Sequence, residues 1–384
     1  MLAAALAAAA AGALPGLPRL HIVGAISVSG ISSGADFAAS FHVANSDLVN
    51  ASGIFAGQAP LCAVQRFAGE PQFSCAAQPY GPGCVGLAAT GPAPCVGCDA
   101  GMTLTYDHCK EALQGLVQVP QLLGLMAAAA AEGRVPPLDN LAGDAVFLYR
   151  GLEDTVYQAG AVNHTQAYFA ALGAATSFEA TVPSAHCMPT VDPAVSPASC
   201  GGKHAPAGTP PAMENCGFDG AGAALQHAFR GSLVPPPPAQ PFTDAAHVLA
   251  FNQSRYFGAV WPALASVGFA YVPAQCAAGA ACRLHAAFHG CGMSALTPAM
   301  ALNYTFHAGY NQWAALNDMV VLYPQGGGCI ERNATCGSPE LDGGCWDGYG
   351  QTGPAYAFTQ GPQAAAVRAM LLAVAGGADS ARRR

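Results

Sequence analysis

Lysine is almost missing from this chain of 384 residues: there are two, Lys110 and Lys203. Charge of either sign is scarce, at 9% of residues, and acids outnumber bases to leave a net charge of −8. A protein that neutralises rows of phosphates needs clustered Lys and Arg. The one basic run here is Arg382-Arg383-Arg384 at the end of the chain, so no nucleic-acid partner is expected. Long apolar runs are also lacking beyond the first sixteen residues, and no membrane span is expected in the rest.

Cysteine, glycine and alanine are what the chain has in quantity. Fifteen cysteines, many closely spaced, suit disulfides and an oxidising compartment better than a reducing one. The stretch Met1 to Gly16 reads as the apolar part of a signal peptide without the usual basic start. The expectation is therefore a signal at 1–17, export, and one domain over 18–384 with a Cys-rich insertion at about 60–109. N-x-S/T sequons at Asn50, Asn163, Asn252, Asn303 and Asn333 offer sites for N-glycans on such a route.

Apolar strand candidates alternate with alanine-rich helical stretches, which predicts an α/β fold with a mainly parallel sheet covered by helices on both faces. Expected strands include His21 into Gly30, Ala51 to Gly57, Ala145 to Gly151, Ser177 to Val182, Arg283 to Phe288 and Met319 to Pro324. Helices are expected at Gly34 to Asn45, Gln158 to Leu172, Gly220 to Arg230, Phe306 to Leu316 and Gln360 to Ala375.

Gly30-Ile31-Ser32-Ser33-Gly34 sits between the first strand and the first helix. That is the setting of a G-x-S-x-G nucleophile elbow, in which glycines allow a strained turn that raises the serine above the sheet. A serine becomes a nucleophile only when a histidine takes its proton, and the histidine needs a carboxylate to hold its tautomer. In open α/β sheets, sites collect beyond the carboxyl ends of strands. Asp154 follows the strand ending near Gly151 and His186 follows the next one, whereas Asp144 precedes its strand and lies at the wrong end. The candidate triad is Ser32, Asp154 and His186. The backbone N–H of Ser33 is the expected first oxyanion donor. A second normally comes from a strand-end His-Gly stretch before the serine, but here it is His289-Gly290-Cys291, far after it. An α/β-hydrolase whose chain starts midway, a circular permutant, would read in this order. The His289 side chain is expected to be structural.

The chain resembles the single-domain, circularly permuted poly(3-hydroxybutyrate) depolymerases, a family of secreted serine esterases. The resemblance lies in Ser27-Val-Ser-Gly-Ile-Ser-Ser-Gly34, Gly151-Leu-Glu-Asp-Thr-Val156, His186 with Pro189-Thr190, Leu284-His-Ala-Ala-Phe-His-Gly-Cys291 and Gly344-Cys-Trp-Asp347. It implies a permuted α/β-hydrolase fold, Ser32, Asp154 and His186 as triad, Ser33 and Cys291 N–H as oxyanion hole, and Trp346 in the substrate crevice. It also implies a polyester of short 3-hydroxyacids as substrate, no cofactor and no metal, and a Cys291–Cys345 disulfide. Other pairs expected are Cys200 with Cys216, Cys276 with Cys282, Cys329 with Cys336 and Cys62 with Cys109; Cys75, Cys84, Cys95 and Cys98 would pair within the insertion, which leaves Cys187 over. Two places depart from the family: the three residues Ala35-Asp36-Phe37 stand where Gly-Tyr-Met is usual, and Gly348 stands where an aromatic is usual. The rival readings are a carbohydrate esterase releasing acetyl or feruloyl groups and an inactive binding protein on the same scaffold.

Overall fold

The computed structural model describes residues 14–64, 109–110, 117–197, 200, 212–238, 240–329, 338–353 and 355–376. Residues 1–13 of the expected signal segment lie outside them, as do most of the Cys-rich insertion, Asn333 and Cys336.

Eight strands form one sheet: β1 (Ile26–Ile31), β2 (Val49–Phe55), β3 (Ala145–Tyr149), β4 (Ala175–Glu179), β7 (Val248–Asn252), β8 (Val267–Tyr271), β9 (Arg283–Phe288) and β10 (Met319–Tyr323). Two short strands, β5 (Cys187–Pro189) and β6 (Ala212–Glu214), pair separately. The order across the sheet is β4-β3-β2-β1-β9-β10-β8-β7. Neighbours from β4 to β10 are parallel, and β8 runs antiparallel to both β10 and β7. Read from β7, the chain lays down its strands as an α/β-hydrolase sheet does, and β1 is the fifth of them. The permutation has a simple physical basis. The last helix (Pro362–Ala375) ends beside the segment that leads into β1, where Leu20 N–H donates to Val374 O at 2.8 Å.

The helices used below are α1 (Ser33–Ala44), α2 (Val119–Ala131), α3 (Ala159–Ala171), α4 (Gly220–Ala228), α5 (Pro298–His307), α6 (Tyr310–Leu316) and α7 (Pro362–Ala375). Every residue of α1 is buried, as expected of a helix that is small and apolar nearly all round. Two large apolar clusters make up most of the core. One holds Ile54, Phe55, Val146, Leu148 and Tyr304, and the other Val28, Phe37, Phe41, Phe288, Trp346, Val367 and Met370.

Side chains alternate across β1. Ile26 and Val28 join the second cluster, and on the other face Ser27 and Ser29 each bond one nitrogen of His285 at 2.8 Å. Ser29 also donates to Tyr310 at 2.6 Å, so the buried polar groups of this face satisfy one another.

Strand boundaries differ from the sequence expectation by up to three residues, and by five at the start of β1, and one helix needs a larger correction. The helix expected over Phe306 to Leu316 is two helices, α5 and α6, broken at Gly309, whose φ of +96° no side chain accepts cheaply. The β5–β6 pair after His186 was not expected at all.

Candidate active site

The turn between β1 and α1 is strained at the residue that matters. Ser32 has φ 58° and ψ −126°, outside the ordinary regions for a side-chain-bearing residue. The flanking glycines are sterically required. A Cβ at Gly30 would lie 2.1 Å from Gly34 O, and one at Gly34 would lie 2.3 Å from His289 O. The second contact shows how close the N-terminus of α1 comes to the end of β9, where the other oxyanion candidate sits. Ser33 opens the helix, so its N–H belongs to the first turn, which has no intrahelical acceptor and carries the positive end of the helix dipole.

Asp154 lies in the turn after β3. Its Oδ1 accepts from the N–H groups of Val156 and Tyr157 at 2.8 and 2.9 Å, and its Oδ2 accepts from His186 Nδ1 at 2.9 Å. Burial pushes this carboxyl up, but His186 and the two backbone donors outweigh it and hold Asp154 below the ordinary carboxylate value. With Nδ1 donating to Asp154, Nε2 of His186 is left as the acceptor. That nitrogen is buried and has no hydrogen-bond partner. A chain of contacts ties it to the elbow: the Tyr157 ring stacks on His186, the Tyr157 hydroxyl donates to Asp36, and Asp36 N–H donates to Ser32 O. No direct hydrogen bond joins His186 Nε2 to Ser32, so the imidazole is positioned but uncommitted.

The second oxyanion candidate is held from behind. Gly326 N–H donates to His289 Nε2 at 2.9 Å, which puts the ring proton on Nδ1, and that donates to Gly290 O at 2.8 Å. In a trans peptide the N–H points away from its C=O, so a bound Gly290 carbonyl sets the direction of Cys291 N–H. Burial lowers the His289 pKa to about 4, which keeps the ring neutral and the tautomer fixed. Cys291 is bonded to Cys345, and the neighbouring Trp346 N–H donates to Ser33 Oγ at 3.2 Å. The disulfides Cys62–Cys109, Cys200–Cys216 and Cys276–Cys282 also form. Cys329 is disulfide-bonded. Cys187 is a buried free cysteine whose thiol burial pushes up to about 12, so it is not reactive.

No family model matches the sequence. The chain is 29% identical over 358 residues to a polyhydroxybutyrate depolymerase of Talaromyces funiculosus, covering 91% of this chain and 90% of that one. It is 30% identical over 296 residues to a poly(3-hydroxybutyrate) depolymerase of Delftia acidovorans, covering 76% of this chain and only 54% of that relative, so it spans about half the length of the bacterial protein. Two solved structures share the fold. A serine-to-alanine variant of a PHB depolymerase complexed with an R3HB trimer superposes with a TM-score of 0.72 at 26% identity, covering 94% of this chain and 99% of that one. The PHB depolymerase of Penicillium funiculosum gives 0.71 at 25%, with the same coverage. The chain is similar along most of its length to poly(3-hydroxybutyrate) depolymerases in both sequence and fold.

Trp346 is the residue the structure treats differently from the sequence reading. It is 1% exposed, stacked on Phe37 with ring centroids 4.4 Å apart and packed against Phe288 and His289. It is a core side chain here rather than the open wall of a crevice. The next residue organises the loop: Asp347 Oδ1 accepts from the N–H groups of Tyr349, Gly350 and Gln351, and its Oδ2 from Thr352 N–H and hydroxyl. Asp347, Tyr157 and Lys110 are absent from the sequence reading of the site. Tyr157 had a signal, since it lies three residues past Asp154, where a backbone N–H caps the carboxylate. Lys110 had none beyond its rarity. No described helix is long and apolar enough to cross a membrane.

Proposed function

We propose that the protein is a secreted serine esterase that cleaves polyesters or oligomers of 3-hydroxybutyrate through an acyl-enzyme on Ser32. The observation that carries this reading is the buried, partnerless Nε2 of His186, held by Asp154 and linked by contacts to a strained serine. A buried polar atom left unsatisfied is costly, and a base waiting for a proton is a reason to keep one.

In the proposed cycle Ser32 Oγ attacks the ester carbonyl carbon and gives its proton to His186 Nε2. The negative charge that develops on the carbonyl oxygen is met by the N–H groups of Ser33 and Cys291. Asp154 stabilises the imidazolium and fixes its orientation. The C–O bond to the alcohol then breaks as His186 returns the proton to that oxygen, leaving an acyl-enzyme. Water, deprotonated by the same nitrogen, attacks the acyl carbon; the bond to Ser32 Oγ then breaks as His186 returns the proton to that oxygen, and the acid is released. The disulfide framework is in keeping with export.

The test is product analysis. Purified protein incubated with poly(3-hydroxybutyrate) granules, 3-hydroxybutyrate oligomers, and acetylated or feruloylated xylan should release 3-hydroxybutyrate units from the first two and no acetate or ferulate from the third. A fluorophosphonate should modify Ser32. Release of acetate or ferulate alone would replace the polyester substrate with a sugar ester, and no labelling at Ser32 would end the serine-esterase reading.

A further inference from the structure

Asp36 has no part in the triad, yet it is a buried carboxylate one helical turn from the nucleophile in a chain with little charge. Both of its oxygens are engaged as acceptors, Oδ1 from Gln58 N–H at 2.8 Å and Oδ2 from the Tyr157 hydroxyl at 2.6 Å. Tyr157 connects in turn to the base and its carboxylate. Its ring lies nearly parallel to the imidazole of His186, with centroids 5.4 Å apart and planes at 14°, and its N–H donates to Asp154 Oδ1. Lys110 Nζ stands 5.0 Å from the centre of the same ring. The space beside the carboxylate is closed by Gly348. A Cβ there would lie 3.1 Å from Asp36 Oδ2, and Gln58 Nε2 donates to Gly348 O at 3.1 Å. Asp36 and Gly348, both at places where the sequence departs from the family it resembles, are thus neighbours, and the carboxylate occupies room that a side chain at 348 would need.

We infer that Asp36 is a positioning residue for the catalytic base: through the Tyr157 hydroxyl it holds that ring flat against His186, and its charge favours the imidazolium formed when Ser32 gives up its proton. The inference rests on the serine-esterase reading above and adds a second carboxylate, which faces His186 from α1 rather than from the loop after β3. A buried charge acts strongly on a neighbour because little water lies between to screen it. The charged and titratable groups around Asp36 are Lys110, Tyr157 and His186, and Glu340 and Asp154 act on Lys110 in turn. Burial raises the carboxyl of Asp36 to about 6, against the pull of Lys110, Tyr157, Gln58 and His186. Asp36 therefore carries its charge above that pH and loses it below. When it is neutral the imidazolium is less favoured, so transfer of the Ser32 proton slows.

The experiment is the rate of Ser32 modification by a fluorophosphonate from pH 5 to 9, read by intact mass, in the wild type, Asp36→Asn, Tyr157→Phe and the charge-balanced Asp36→Asn/Lys110→Met. Circular dichroism on the same samples gives the folded fraction. At pH 8 each variant should react about tenfold more slowly, a transition-state loss of about 1.4 kcal/mol. The two Asp36 variants should also have a shallower acid limb, because one of the groups that shapes it is gone. With an ester substrate, kcat should fall while KM holds. Rates within about twofold of wild type and an unchanged acid limb, or losses that only follow the folded fraction, would overturn the inference. A wild type that does not label at all would instead remove the serine-esterase reading, an outcome visible before any variant is made.

Discussion

Among the described residues, two Ser-His-Asp groupings invite comparison, and one of them has the geometry of a candidate site. In the first, His186 holds Asp154 through Nδ1 and leaves Nε2 without a partner, and Ser32 sits on a strained elbow. In the second, Ser52 in β2 bonds His42 Nδ1 at 2.9 Å, and His42 Nε2 meets Asp144 Oδ2 at 3.2 Å. Both nitrogens of His42 are occupied, its ring is fully buried against Phe169, and Ser52 lies within a regular strand. Asp144 precedes β3, whereas Asp154 follows it. The same three residue types therefore brace one end of the sheet and form a candidate catalytic centre at the other. The difference lies in the unsatisfied nitrogen and the strained serine. A grouping with every bond made has nothing left to give a substrate.

Exchange of the two groupings in mutagenesis would break this comparison. Ser32→Ala or His186→Ala should lower turnover by roughly four to six orders of magnitude, with losses that do not add in the double variant. Ser52→Ala should leave turnover per folded molecule unchanged and cost about 1–3 kcal/mol of stability, because a buried His42 nitrogen loses its partner. Steady-state kinetics and denaturant melts of the four proteins decide it. Turnover lost in Ser52→Ala but kept in Ser32→Ala would reverse the assignment.

Asp154→Asn sharpens the contrast by one step. An amide in place of the carboxylate can hold the wrong tautomer of His186, and a fall of about 10⁴ in kcat is expected with the fold intact. Near-wild-type turnover would mean that another carboxylate orients the base.

The sheet, the elbow and the pairing of His186 with Asp154 were legible in the sequence because each rests on a local pattern. An apolar strand, two glycines and a helix define the elbow, and the strand-end rule picked Asp154 over Asp144 without any structure. Three things were not legible, each because it depends on contacts between distant segments. Gly309 splits a helix whose apolar periodicity runs on through it. Lys110 comes from the edge of the Cys-rich insertion, and no local pattern shows that it packs over Tyr157. Trp346 joins the core because Phe37 and Phe288, more than 50 residues away in each case, supply faces for its ring.

That burial changes what removing Trp346 should do. Truncation of a packed aromatic typically costs about 3–5 kcal/mol, and Trp346→Ala should lose stability on that scale. Its loss of hydrolysis should be equal for 3-hydroxybutyrate oligomers and p-nitrophenyl acetate once corrected for folded fraction. A selective loss on oligomers at an unchanged melting temperature would instead mean that the ring meets substrate.

The smallest expected effect concerns the pair of buried charges beside the first grouping, which the second lacks. Burial raises Asp36 from 3.8 to about 6, and lowers Lys110 from 10.5 to about 8 despite the pull of Asp36, Glu340 and Asp154. For an acid with a raised value the folded chain binds protons more tightly than the unfolded one, so stability falls as pH climbs from about 4 to about 6 and stays reduced above it. For a lysine with a lowered value the folded chain releases its proton first, so stability is reduced below about 8 and recovers as pH climbs toward about 10.5. At pH 7 both charges therefore weigh against folding. Replacing a buried ion pair by neutral groups is often neutral or stabilising by about 1–4 kcal/mol, so Asp36→Asn/Lys110→Met should be as stable as the wild type or more so at pH 7, while reacting more slowly. Its stability should also vary less between pH 4 and 6 and between pH 8 and 10 than the wild type's, as urea melts across those windows would show. A double variant that is less stable at pH 7 would mean that the pair is a structural brace like His42 and Asp144, and the contrast between the two ends of the sheet would narrow to the triad alone.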